Sequence, residues 1–188
     1  RRTEGGEALA ETTINLTSQA SSNPSWHVLW TRSNCEQLVF NHLTAKGLEV
    51  FLPRIGSWSR RGGQRRLAQV PMFPGYLFVH HAMDKLSYIE VSKSTGLVSI
   101  LGERWDRLEV VPTPEIEAIQ RASRSNLPVL PHPYLREGQR VRIMSGPLAD
   151  VEGIFVRGKP TKGLLIVSIH MLHRSVAVSV DSTLVEAA

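Results

Sequence analysis

The sequence predicts an α+β N-terminal domain, in which helices flank an antiparallel sheet, followed by a small all-β barrel. Three observations support this fold class. Up to residue 122, strand-like runs alternate with segments whose apolar residues recur at helical spacing. Prolines then crowd residues 123–136, and from residue 137 short runs with a period of two alternate with Gly/Pro turns. We therefore predict domains over 26–122 and 137–188, with 123–136 as the linker.

The composition is that of an ordinary globular protein. Of the 188 residues, 41% are hydrophobic and 21% are charged, which is enough to build a core. The formal net charge of +5 favours an anionic partner only weakly. The single cysteine, Cys35, excludes an intrachain disulfide and fits a reducing cytoplasm. No apolar run reaches the roughly 18 residues of a membrane-spanning helix, so we expect a cytoplasmic protein without a membrane partner.

The chain is expected to become ordered only after an N-terminal tail. Residues 1–25 are rich in Ser, Thr, Ala and Glu and contain no aromatic residue, which predicts disorder and no signal peptide. A strand is expected over 26–30. Ser33 is the expected N-cap of the next helix, with Glu36 completing a capping box. Gly47 should end that helix.

Two further strands, over 48–55 and 70–80, enclose an arginine-rich segment. Its centre is Gly62-Gly63, and such a pair between two strands predicts the tip of a projecting hairpin. The arginines that flank the tip are Arg60, Arg61, Arg65 and Arg66. They fit either a nucleic-acid contact or a solvated tip without a partner.

The N-terminal domain should finish with two helices and a strand between them. Apolar spacing predicts a helix over 84–94, with Gly96 in a left-handed conformation after it, and a strand over 97–101. Thr113-Pro114 followed by acidic residues is typical of a helix start. The predicted order of elements is therefore β-α-β-β-α-β-α.

Alternation predicts five short strands in the C-terminal domain. They are expected over 139–144, 151–157, 164–169, 176–180 and 184–186. A closed sheet would hide the edges of so small a unit, which indicates a barrel or a sandwich. Dense β-branched residues over 166–169 and 175–180 favour strands over a helical form.

Catalysis lacks its usual motifs in this sequence. There is no GxGxxG, GxxxxGK[ST], GxSxG or HExxH pattern, so we expect neither an enzyme nor a cofactor. We also expect no metal site. His80 and His81 are adjacent on a predicted strand and should point to opposite faces, while His170 and His173 fall in a predicted turn. Surface histidines are the favoured interpretation.

The stretch 70–79 is the most informative in the chain, because it combines two prolines, Gly75 and three aromatic rings. Tyr76 and Phe78 should share one face of a strand, and Phe73 is expected at the surface. A kinked core strand would account for the same residues. An exposed aromatic cluster, however, is typical of a protein-binding patch.

Motifs in both predicted domains resemble the NusG family of transcription elongation and antitermination factors. The N-terminal motifs are WHVLWTR at 26–32, FPGYLFV at 73–79 and TGLV at 95–98, which resemble the family's NGN domain. The C-terminal motifs are EGQRVRI at 137–143, SGPL at 145–148 and VEGIFV at 151–156, with Arg174 in the later hairpin. These resemble the family's KOW domain, an SH3-like barrel.

This resemblance implies a factor that binds RNA polymerase and suppresses pausing or termination. In the family, an apolar patch on the NGN domain binds the clamp helices of the largest polymerase subunit. The matching positions are Trp30, Phe73, Tyr76 and Phe78. The family's contact with the gate loop of the other large subunit matches Ser87, Tyr88 and Ile89. Such a factor would act by binding the closed-clamp polymerase better than the paused form.

The sequence is also similar to the specialised RfaH-like paralogues, which act on particular operons. These proteins contact non-template DNA through a basic face, where Arg32 and His42 lie in this chain. Arg60, Arg61, Arg65 and Arg66 would add phosphate contacts to upstream DNA. The resemblance leaves open whether the KOW domain binds a ribosomal protein or a termination factor. The alternative function is an RNA-binding or ribosome-associated KOW protein.

Overall fold

The computed structural model describes residues 23–135, 137–159 and 161–188, with only the backbone of Arg61 and Lys159. The expected disorder of residues 1–22 lies outside the described residues. The first strand begins at Ser25, one residue earlier than expected. Up to residue 124 the elements are β1 (Ser25–Thr31), α1 (Glu36–Ala45), β2 (Glu49–Phe51), β3 (Arg54–Arg61), β4 (Gln64–Pro71), β5 (Tyr76–His81), α2 (Lys85–Ser92), β6 (Leu97–Ile100), β7 (Gly102–Arg104), β8 (Arg107–Leu108) and α3 (Thr113–Arg124). The remaining strands are β9 (Val129–His132), β10 (Gln139–Ile143), β11 (Glu152–Lys159), β12 (Lys162–Ile169), β13 (Arg174–Asp181) and β14 (Val185–Ala187).

A four-stranded antiparallel sheet of order β2-β5-β1-β6 organises the N-terminal part. Alternation along β1 separates two apolar faces. Leu29 belongs to a buried cluster with Val39 of α1 and Val91 of α2. Val28 belongs to a second cluster, which includes Ile116 of α3. The sheet is therefore buried by helices on both faces, and the α+β class predicted for this part is confirmed.

The β3–β4 hairpin is present as predicted. It forms a separate two-stranded sheet whose tip is Gly62-Gly63, with φ values of 62° and 77°. Two consecutive residues with positive φ suit the tight turn that matches the strand twist, and glycine adopts them without strain. Ile55 is buried at the base of the hairpin, whereas every described side chain from Trp58 to Leu67 is exposed.

The expected linker contains a strand. Val129–His132 forms β9, which pairs with β13 and lies at one end of a six-stranded antiparallel sheet of order β14-β10-β11-β12-β13-β9. Pro131 stands opposite Val176 in this pairing. A proline lacks the amide donor of a ladder, and it is tolerated at a sheet edge because one side of an edge strand faces solvent. The prolines thus confine the segment to an edge strand and do not prevent a strand.

The C-terminal part is β-rich, as expected. The segments dense in β-branched residues form β12 and β13, which pair along their whole length from Lys162↔Asp181 to Ile169↔Arg174. Alternate side chains of these strands point into a core that includes Leu165 and Val178, both fully buried. No helix in the described ranges is long and apolar enough to cross a lipid bilayer.

The two parts share a core. One buried cluster contains Phe73 and Ile119 from the N-terminal part together with Val141 and Leu165 from the C-terminal sheet. Polar bonds accompany this packing where α3 meets β12. The backbone N–H of His170 donates to Glu115 Oε2 at 3.1 Å. The Arg121 guanidinium donates to the carbonyl of Ala149.

Glu115 should make this contact sensitive to pH. Burial raises the pKa of its carboxyl, although the hydrogen bond from the His170 N–H opposes the shift. Because the pKa is raised, the folded protein binds the proton of Glu115 more tightly than the unfolded chain does. The free energy of unfolding should therefore fall as pH rises through the folded-state pKa. Glu115→Gln keeps an oxygen acceptor and removes the charge. We expect it to raise the thermal midpoint at about pH 7.5, with the gain shrinking as pH falls towards about 4.5 and the carboxyl of Glu115 becomes protonated.

The comparison of the two proteins at each pH isolates Glu115 from the other titrating groups. A Glu117→Gln variant serves as the matched control, because Glu117 lies on the same helix and is exposed. A midpoint difference between Glu115→Gln and the parent that does not change with pH would contradict the assignment.

Candidate functional site

An exposed aromatic pair lies where β1 ends and β5 begins. Trp30 and Tyr76 are directly opposite each other in the antiparallel pairing, so their side chains lie on the same face. The Trp30 residue is 45% exposed, while Tyr76 is half-buried. An indole this exposed beside a phenol is a surface that a partner could cover.

The other two predicted patch residues are buried. Phe78 follows Tyr76 on the same face, as expected, but it is 0% exposed. The expectation that Phe73 lies at the surface is wrong, since this residue is only 2% exposed. Its ring meets the Phe78 ring edge-on, with centroids 6.3 Å apart and planes at 88°. The turn before β5 directs Phe73 inwards and leaves Pro74 exposed, so the predicted four-residue patch consists of an exposed pair above two core rings.

A buried carboxylate holds the turn that precedes Tyr76. The backbone N–H of Gly75 donates to Glu36 Oε1 at 2.7 Å, and Glu36 is only 5% exposed. Gly75 has a φ of +85°, a conformation that favours glycine, and its carbonyl accepts from the Thr31 N–H at 2.8 Å. The predicted capping box is therefore wrong. Cys35 is the N-cap of α1, without a side-chain cap, and Glu36 is used for the turn.

The predicted gate-loop residues lie on α2 and have different environments. Ser87 serves the helix start, because its N–H donates to Asp84 Oδ1 at 2.7 Å, and this bond lowers the pKa of the Asp84 carboxyl. Tyr88 is half-buried and Ile89 is 39% exposed. Leu86, which sequence reasoning missed, is 74% exposed and three residues before Ile89, so the two lie on one helix face.

Arg32 and His42 lie on different elements of the N-terminal part. Arg32 is exposed in the loop after β1, where its backbone N–H donates to the Gly96 carbonyl at 2.9 Å. His42 is half-buried in the last turn of α1. Among the described residues, neither side chain forms a hydrogen bond or an ion pair.

The hairpin divides its arginines between two faces. Arg60 and Arg65 are opposite each other and share one face, whereas Arg66 is opposite Ser59 on the other face. Arg61 belongs to β3, and only its backbone is described. Residues 54–71 contain five arginines and no acidic residue, which equals the net charge of +5 of the whole chain. The rest of the chain is electrically balanced, so the hairpin is the source of the basic bias.

The adjacent histidines do point to opposite faces. His80 stacks on Trp26 and pairs with Glu49, with Nδ1 2.8 Å from Oε2, while His81 bonds to Ser87 on α2. Within the described ranges, no three His, Cys, Asp or Glu side chains are grouped as metal ligands.

Comparisons with known proteins agree with the sequence motifs. Residues 24–120 match the family model of NusG, described as a transcription termination factor. The transcription termination/antitermination protein NusG of Escherichia coli (strain K12) is 30% identical over 141 residues, covering 74% of this chain and 78% of that protein. The corresponding protein of Buchnera aphidicola is 27% identical over 177 residues, covering 88% and 97%.

Among solved structures, one that describes a domain interaction in Thermotoga maritima NusG is similar in fold. Its TM-score is 0.55 at 22% identity, and the match covers 88% of this chain and 97% of that chain. The family model alone spans more than half of the sequence. The chain therefore belongs to the NusG family of non-enzymatic transcription termination/antitermination factors.

Proposed function

We propose that this protein binds the clamp helices of RNA polymerase through Trp30 and Tyr76 and thereby suppresses pausing or termination. The observation that carries the proposal is the exposure of Trp30 beside Tyr76 in a NusG-family N-terminal part. Tryptophan and tyrosine are over-represented among residues that dominate binding energy. Phe73 and Phe78 are too buried to reach a partner, and they belong to the core cluster against which Tyr76 packs.

The test is to replace Trp30 with alanine. We expect affinity for nucleic-acid-free cognate core polymerase to fall by about tenfold or more, because an exposed aromatic anchor would be lost. Trp58→Ala is the matched control, since it also removes an exposed tryptophan but one on the hairpin. Surface plasmon resonance would measure both. Equal affinities of Trp30→Ala and the parent, with both proteins folded, would reject the site.

A second polymerase contact is proposed on α2. The exposed apolar side chains of Leu86 and Ile89 fit a contact with the gate loop better than Ser87, whose hydroxyl bonds to His81. Tyr88 is half-buried and would contribute only its edge. A factor that bridges two polymerase subunits would favour the closed clamp by the difference between its affinities for the two forms.

We further propose that the protein is an operon-specific paralogue that contacts DNA in the cytoplasm. Arg32 is exposed and free of ion pairs in the described ranges, so it is available for non-template DNA, with half-buried His42 as a lesser contributor. Arg60, Arg65 and Arg66 would contact phosphates of upstream DNA, together with Arg61. Pausing assays on templates with and without the native leader would separate operon-specific from general action.

For the C-terminal part we propose a KOW domain that recruits a ribosomal protein or a termination factor. The antiparallel pairing of β10 to β13, in a β-rich part that follows the residues matched by the NusG family model, supports this assignment. We propose 26–122 and 137–188 as the two domains, with the segment between them supplying β9 to the second.

An RNA-binding or ribosome-associated protein is the second candidate. The concentration of basic residues on the hairpin favours it. In that case ribosomal RNA should bind tightly without polymerase, with affinity that falls steeply as salt rises from about 50 to 200 mM.

A further inference from the structure

The Arg60/Arg65 face of the hairpin also carries a solvent-exposed apolar pair. Trp58 is directly opposite Leu67 in the ladder, so both side chains lie on this face. They are 64% and 56% exposed. A cross-strand pair of this kind stabilises the ribbon itself, but that role does not require most of the indole to stay in water.

Gly56 leaves room for Leu67 on this face. A Cβ at Gly56 would lie 3.2 Å from Leu67 Cδ1, closer than an ordinary contact, so the leucine lies over the glycine. Trp58 and Leu67 together form an exposed apolar platform.

Two arginines share this face with the platform. Arg65 Cζ lies over the Trp58 ring, 5.5 Å from its centroid, and the Arg60↔Arg65 pair is the next pair on this face towards the tip. No described ion pair involves Arg60 or Arg65, and residues 54–71 supply no acidic side chain to neutralise them. The platform is thus an aromatic surface in a strongly positive field, which is complementary to an anionic partner with flat rings.

We propose that the Trp58 platform binds the unpaired bases of single-stranded DNA, with a base stacked on the indole and the neighbouring phosphates on Arg60 and Arg65. A duplex hides the faces of its bases, so it would contact the arginines but not use the indole. The only uncharged polar side chain on this face is Gln69, which leaves little to read a 2′-hydroxyl. The proposal rests on the nucleic-acid role given above to the hairpin arginines, but not on polymerase binding.

The test is the affinity of the full chain for a labelled oligothymidylate of about 12 nucleotides, within the range of single-strand sites. Trp58→Leu preserves an apolar cross-strand partner but removes the aromatic face, and Trp58→Phe restores an aromatic face. We expect Trp58→Leu to weaken single-strand binding about tenfold and Trp58→Phe to stay within about threefold of the parent, because stacking contributes about 1–3 kcal/mol per base. Binding to a duplex of the same sequence should change less than about twofold in both variants.

Two further variants separate this proposal from the polymerase site. Trp30→Ala should bind the oligonucleotide as the parent does, and Trp58→Leu should bind core polymerase as the parent does. Arg60→Gln, which removes a cation on the face of the platform, should weaken single-strand and duplex binding alike and reduce the salt slope by about one. Unchanged oligonucleotide binding by Trp58→Leu, or an equal loss on duplex, would overturn the platform. So would RNA of the same sequence binding at least about tenfold more tightly than DNA, or a loss of polymerase binding alone.

Discussion

Replacing Phe73 with alanine should lower the free energy of unfolding by about 3–5 kcal/mol, the usual cost of truncating a buried phenylalanine. The ring is 2% exposed and packs edge-on against Phe78 in the cluster shared by both parts of the chain. Its removal would leave a cavity bordered by core side chains that can close it only partly. Urea or guanidinium unfolding, with an unchanged m-value, would measure the loss.

Two variants make this prediction specific. Trp58→Ala removes a larger ring from an exposed position and should cost far less stability. Phe73→Leu keeps most of the apolar volume and should recover much of the loss. A loss below about 1 kcal/mol for Phe73→Ala would mean that the ring is not part of the core. Because this variant is expected to be marginally stable, weakened polymerase binding by it would not identify Phe73 as a contact.

Glu36→Ala should cost about 2–3 kcal/mol, because it removes a buried charged acceptor and leaves the Gly75 N–H unpaired. The effect should extend to function, since this bond fixes the turn from which Tyr76 begins β5. We expect faster hydrogen exchange at the Gly75 amide and weaker polymerase binding at temperatures where the variant is still folded. Both can be followed by NMR and surface plasmon resonance.

Glu36→Gln is the matched control, as it retains an oxygen acceptor at the same position. It should lose only a part of the stability and keep the Gly75 amide protected. If alanine and glutamine variants exchange the Gly75 amide at the parent rate, Glu36 does not hold the turn.

Patterns of residues close in sequence predicted the helices and strands of this fold well, because the formation of these elements depends mainly on neighbouring residues. Gly62-Gly63 identified the hairpin tip, and the β-branched segments identified β12 and β13. The same local logic misassigned Glu36. Its spacing from Ser33 fits a capping box, but the carboxylate instead accepts a hydrogen bond from the Gly75 N–H, 39 residues away. The spacing of residues 33–36 contains no information about this distant donor.

The candidate site was predictable in position but not in exposure. The alternation of side chains along a strand correctly placed Tyr76 and Phe78 on one face. It could not show that solvent reaches Tyr76 but not Phe78. Exposure depends on what packs above a strand, here the core that includes α3 and the C-terminal sheet. Leu86 and Trp58 were missed for the opposite reason: an apolar residue in a regular element suggests burial, and only the fold leaves these two uncovered.

The bonds from α3 to the C-terminal sheet bear on how the molecule tumbles. Two modules joined by a free tether reorient separately, so their amides relax at different rates in NMR experiments. In this chain, rotation of one half relative to the other must break the Glu115–His170 and Arg121–Ala149 hydrogen bonds. It must also expose apolar side chains of the shared core to water. Both halves should therefore share one rotational correlation time, that of a single particle of 20.9 kDa. The tip of the β3–β4 hairpin should reorient faster.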